Sequence, residues 1–159
     1  MSSTGKILSA VGGIITLVST FLLSLMAFTS TSFASGLGFA INLPDLFTSG
    51  DMLLIILAIV LIIFLVSGVL QIIGIANRAS AIVGSILPIL VAIFFIIYAF
   101  GVIPSDIAIY LDVFSGEQYF GFLPYHLQIW ELGLGTFTLL GGGVIGLIGG
   151  ILPREDFYY

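Results

Sequence analysis

His126, Glu131, Asp112 and Glu117 are the side chains whose types could build an outward-facing metal or proton site. Their spacing does not favour one. His126 and Glu131 stand five residues apart, whereas partners on one helix face stand three or four apart. A lone histidine cannot supply bis-His haem ligation or a histidine-based metal triad. The chain has no cysteine, which removes disulfides, thiol catalysis and cysteine-held clusters. With no Ser-His-acid spacing and no phosphate-cradling loop, neither enzyme activity nor a bound cofactor or metal is expected. His126, Glu131 and Asp112 stand as the candidates for an outer site, with an interfacial side chain as the plainer reading of His126.

What must position these residues is an apolar framework. The 159 residues are 60% hydrophobic and 7% charged, against about 25% charged in soluble domains, so the composition is that of one membrane domain spanning 1–159. The basic residues are Lys6, Arg78 and Arg154, too few and too scattered to hold nucleic acid.

Four apolar runs are long enough to cross a hydrocarbon core of ~30 Å. The first covers about 7–28, with Gly12, Thr16, Thr20 and Ser24 four apart on one face. A cleaved signal peptide is the rival reading, with Ser32-Phe33-Ala34 as the cut, but the run exceeds a 7–15-residue signal core. A polar stretch, 29–51, reads as a loop with an apolar patch at 37–43 resting on the membrane and Ser49 or Asp51 as the next helix cap. The second span, 52–76, holds seventeen Leu, Ile, Val or Phe residues between Leu53 and Ile73, an insertion gain of about 5–10 kcal/mol. Gln71 near its end is read as an interhelical hydrogen-bonding residue. A tight turn at Asn77-Arg78 leads into the third span, 79–101, where Pro88 should kink the helix and Ser80, Gly84, Pro88 and Ala92 form another small-residue row. Tyr98 is placed as an interfacial anchor.

The outer loop, 102–124, leaves two alternatives open. Pro104-Ser105-Asp106 could start a short interfacial helix, the preferred reading, or 107–114 could be a strand paired with 119–123. Its many aromatics, with Trp130 beyond, suit the headgroup layer. Pro124 is expected in the first turn of the fourth span, 127–152, where Gly142, Gly146 and Gly150 repeat every four residues. Such a stripe lets a second helix approach backbone to backbone.

The expected fold is therefore an all-α integral membrane protein, a four-transmembrane-helix up-down bundle with a longer extracytoplasmic loop between helices 3 and 4. Lys6, Arg78 and Arg154 then share one side, which the positive-inside rule makes the cytoplasm of a cell-membrane protein, and both termini lie there. Six carboxylates face outward, a surface that would lose its self-repulsion in strong acid and so suits an acidic habitat. The layout resembles that of claudin-like and tetraspanin-like proteins in architecture alone, since their cysteine-containing loop motifs are absent. A rotary-ATPase proteolipid would need a mid-helix carboxylate, and Glu131 is placed at the helix end. The expected function is a non-catalytic structural or accessory subunit packing laterally on the bilayer's other proteins or on copies of itself. The alternative is a pore or transporter component for a small neutral solute.

Overall fold

The computed structural model describes residues 3–153, which places Arg154 outside the described residues. Four long helices carry the fold: α1 (Thr4–Phe21), α3 (Met52–Ile73), α4 (Arg78–Ala99) and α6 (Leu134–Ile151). Each is long and apolar enough to cross a membrane. The chain is a mostly helical, multi-pass membrane protein.

The helix ends are set by local chemistry. Asp51 caps α3, its carboxylate accepting from the Leu53 N–H at 2.8 Å. Asn77 caps α4 in the same way, accepting from the Ala79 N–H at 3.0 Å. Helix α6 ends against Arg78, whose Nε and Nη2 donate to the carbonyls of Gly150 and Ile151 at 3.1 and 2.8 Å. A cation there satisfies orphan carbonyls and complements the negative helix end.

Helix α1 packs on α6 and α3, and α4 also packs on both, so the four close into a ring. Contacts run in opposite chain directions between α1 and α6, where Gly149 lies at Ser9, Gly146 at Gly12 and Gly142 at Thr16, and between α4 and α6, where Gly143 lies at Ile89 and Gly150 at Ile82; Gly13 lies at Gly68 and Gly84 at Ser67. The glycine stripe of α6 is buried, turned to α1 and α4.

Both connections at the end of the bundle expected to be outer differ from expectation. Helix α1 stops at Phe21 instead of continuing to 28, because the following backbone is claimed by β-type bonding. Ser24 N–H donates to Tyr125, Leu25 N–H to Ala34, and Gly133 and Gly135 N–H groups donate back to Leu25 and Ser24. The stretch 29–51 is not a loop: after β1 (Met26–Ala27) and β2 (Phe33–Ala34), helix α2 runs Gly36–Thr48, straight through Pro44. Ser35 caps it, accepting from the Gly38 N–H at 2.9 Å, and it buries Phe39 and Leu46 while leaving Ile41 and Phe47 exposed.

In the long outer loop the helical alternative holds: α5 (Ser105–Ala108) passes into a 3-10 helix, Ile109–Phe114. Then β3 (Ser115–Gly116) adds to β2, giving a three-stranded sheet that joins both outer loops. Pro124 does not open a helix; it follows a cis bond in the loop. A hairpin of β4 (Gln128–Ile129) and β5 (Leu132–Gly133) precedes α6, which begins at Leu134 instead of 127.

A Cβ on Gly146 would overlap the Gln71 amide oxygen and lie 2.8 Å from Ser85 Oγ, whereas Gly141 on the same helix faces open space. Gly146→Ala should therefore lower stability in mild detergent by about 1–3 kcal/mol through overpacking. Gly141→Ala should raise it by up to about 1 kcal/mol through helix propensity. Equal melting temperatures for the two variants would remove close packing as the role of the stripe.

Candidate functional site

Three places concentrate chemistry. The first is a buried polar junction in the ring. Pro88 lies inside α4, and a helical proline has no N–H for the carbonyl four residues back, here Gly84. Gln71 supplies the missing donor from α3: its Nε2 donates to the Gly84 carbonyl at 3.0 Å. The same Nε2 lies 3.1 Å from Thr16 Oγ1 on α1, and the Thr16 hydroxyl lies 3.4 Å from Gln71 Oε1. Gln71, Thr16 and Pro88 are all fully buried. Gly146 completes the junction by leaving room for the Gln71 amide. Thr16, Gly84 and Gly146 thus meet around one amide, while Gly12 abuts Gly142 and Gly146, Gly142 abuts Thr16 and Gly150 abuts Ile82. The helix runs through Pro88 unbroken.

The second is the outer cap. His126 is not on a helix with Glu131. Its Nδ1 shares a 2.6 Å hydrogen bond with Ser24 Oγ, and its ring packs at a tilt against Phe33 with centroids 4.9 Å apart. Burial pushes the imidazole below its ordinary value of 6.5. Glu131 sits in the two-residue turn of the β4–β5 hairpin beside Trp130. Asp112 lies on the 3-10 helix, in a crevice it shares with Asp45 and Asp51. The outer-site candidates are therefore dispersed, and among the described residues no three His, Asp or Glu side chains are placed to share a metal ion.

Two exposed aromatics on this cap have left-handed backbone, Phe120 at φ 56° and Trp130 at φ 60°. Phe120-Gly121-Phe122 forms the turn between Tyr119 and Leu123, and Trp130-Glu131 forms the turn between Ile129 and Leu132. Both are hairpin positions that favour Asn or Gly, because a bulky side chain there strains the backbone. Trp130 packs on Phe100 at the end of α4, centroids 4.9 Å apart. Tyr98, two residues earlier, is half-buried against the core.

The third is an apolar groove of about 700 Å³ between the outer halves of α3 and α4, walled by residues such as Ile56, Val60, Leu90 and Phe94 and roofed by Tyr110 and Phe114. Sequence reading missed it, since both walls look like uniform lipid-facing helix. Tyr110 also lines the neighbouring crevice of about 450 Å³ that holds Asp45, Asp51 and Asp112.

No family model, curated protein or solved structure matches the chain.

Two outcomes follow from the junction and the cap. Gln71→Leu should cost about 1–3 kcal/mol by orphaning the Gly84 carbonyl, and less by about 1 kcal/mol in a Pro88→Ala background, where residue 88 regains its own N–H. A coupling of zero in that double-mutant cycle would refute the donor role. For His126, the lowered pKa means that the unfolded chain takes up a proton first as pH falls. The stabilising contribution is full above pH 6.5 and is lost on descent through 6.5 toward the lowered folded value. Melting temperature should drop between pH 7 and 5, and His126→Gln should flatten that slope; an unchanged slope would assign the effect elsewhere.

Proposed function

We propose that this protein is a non-catalytic accessory subunit of the cell membrane whose outer cap engages other membrane proteins or copies of the same chain. In this reading the four helices alternate up and down through the bilayer and both termini are cytoplasmic. Lys6 and Arg78 stand at the inner end, while Asp45, Asp51, Asp106, Asp112, Glu117 and Glu131 lie in segments at the opposite end. That separation supports the orientation through the positive-inside rule.

The observation that carries the proposal is the pair of aromatic-tipped turns. Phe120 and Trp130 are 88% and 56% exposed and both occupy strained backbone. Such strain costs about 1–3 kcal/mol per residue and persists where the position serves recognition. Exposed aromatic anchors are also what interface centres favour. The small-residue faces do not serve this purpose: the stripe of α6 is occupied by α1 and α4. For the same reason the alternative, a passage lined by the α6 glycines, finds no support in the placement of that helix.

Native mass spectrometry of untagged protein after mild extraction should show a defined assembly. Phe120→Ala/Trp130→Ala should dissociate it while leaving the melting temperature of the monomer within a few degrees. A lone wild-type monomer, above all one that passes a neutral solute across liposomes, would overturn the proposal. Orientation is checked separately. The chain has no native cysteine, so Asp106→Cys should react with an impermeant thiol reagent on intact cells and Ala76→Cys only after lysis.

A further inference from the structure

We propose that the α3–α4 groove holds the hydrocarbon chain of a single-chain amphiphile from the outer leaflet, with a cationic head lying in the adjoining crevice of Asp45, Asp51 and Asp112. The inference rests on the proposed orientation of the helices in the bilayer and does not depend on the assembly reading.

The groove sets the occupant's size. Its volume of about 700 Å³ falls within the range of roughly 300–1,000 Å³ typical of ligand pockets. Along α3 it runs from Leu53 to Leu61 and along α4 from Leu87 to Ile97, about 12–15 Å at 1.5 Å per residue. That is about half of a ~30 Å hydrocarbon core, the depth of one leaflet. A partner helix crossing the whole membrane would need a longer face and a clear exit at the top. Here Ile107, Tyr110 and Phe114 close over the upper end. A flexible chain ending in a polar head can turn under that roof, and Tyr110, common to the groove and the crevice, marks where it would pass.

The crevice sets the sign of the head. Asp45, Asp51 and Asp112 are exposed carboxylates, and neither Lys6 nor Arg78 lies at this end of the fold. An anionic head would meet three like charges beside a low-dielectric wall, and a cationic one would be attracted. The three are not clustered as metal ligands are, so a bulky organic cation such as an alkylammonium head matches their spread. The Asp51 carboxylate accepts from the Leu53 N–H, and a carboxylate retains further acceptor capacity after one such bond.

The test compares hexadecylamine with hexadecanoate, offered at pH 7 to the full-length protein in nanodiscs of zwitterionic lipid and counted by native mass spectrometry. One retained amine per chain and at least a tenfold preference over the carboxylate are expected. Leu90→Trp, which fills the groove from an exposed wall position, should abolish retention, whereas Ile14→Trp on the outward face of α1 should not. Asp45→Asn/Asp112→Asn should erase the preference with the melting temperature unchanged. Equal retention of both amphiphiles, amine binding that survives Leu90→Trp, or a preference that survives loss of the carboxylates would each overturn the proposal. Failure here would leave the assembly readout for Phe120 and Trp130 untouched.

Discussion

Where α1 crosses α6, a methyl group on Gly12 would come within 2.5–2.7 Å of three backbone atoms of Gly142 and Gly146. Lipid tails are as apolar as leucine, so no hydrophobic force drives two such helices together. What holds them is the close approach itself, through dispersion and through hydrogen bonds that only a short distance permits. Ser19 Oγ on α1 donates to Thr138 Oγ1 on α6 at 2.7 Å, and Thr136 Oγ1 donates to the Leu25 carbonyl at 2.6 Å. The ring of helices depends on this contact, because α1 and α6 are also what hold the two outer loops in one place.

Close approach creates a second requirement. A ring drawn this tight excludes water, so every buried polar group needs a protein partner. Pro88 would leave the Gly84 carbonyl unsatisfied, and Gln71 answers it from the neighbouring helix. Buried hydroxyls elsewhere turn back on their own helices: Thr20 donates to Thr16, Ser67 to Phe64 and Ser85 to Ala81. At the opposite end of the bundle from the sheet, Arg78 does for the α6 carbonyls what a glycine cap does in other helices. One amide and one guanidinium thus satisfy the breaks that a helical proline and a helix end introduce.

Hydropathy made the four spans readable, and the four-residue spacing of Gly142, Gly146 and Gly150 marked a packing face, because both signals arise from local composition. The outer cap was not readable for a physical reason. Its hairpins turn on Phe120-Gly121-Phe122 and Trp130-Glu131, where the usual signal at the left-handed position is Asn or Gly. Only tertiary context fixes such turns. Leu22 to Ala27 looks like more of the first helix, yet Tyr125, Ala34 and Gly133, up to about a hundred residues away, claim its backbone. Pro124 misled, lying in a loop where it was expected to open a helix, and Pro44 lies inside α2, in a stretch that read as loop. Arg78 reads as a topology charge in sequence; its capping of α6 depends on a contact 72 residues distant.

The two halves of the molecule answer to different solvents. Within the ring, small residues and matched polar groups leave mainly aliphatic side chains facing outward, such as Ile7, Val11, Ile14 and Val18 along α1. Those side chains can be exchanged for others of similar hydrophobicity without altering the interior. The cap cannot be varied so freely. Asn42 on α2 bridges the carbonyls of Val113 and Ser115 at 3.2 and 2.8 Å, Ser24 bonds His126, and the sheet draws strands from both loops. Phe114 sits beneath with its ring against Phe39, Phe64 and Phe95, one from α2, one from α3 and one from α4. That single ring ties the cap to the spans. A change in the tilt of α3 against α4 would therefore move the roof of the groove together with its walls, and the acidic crevice behind Tyr110 with them.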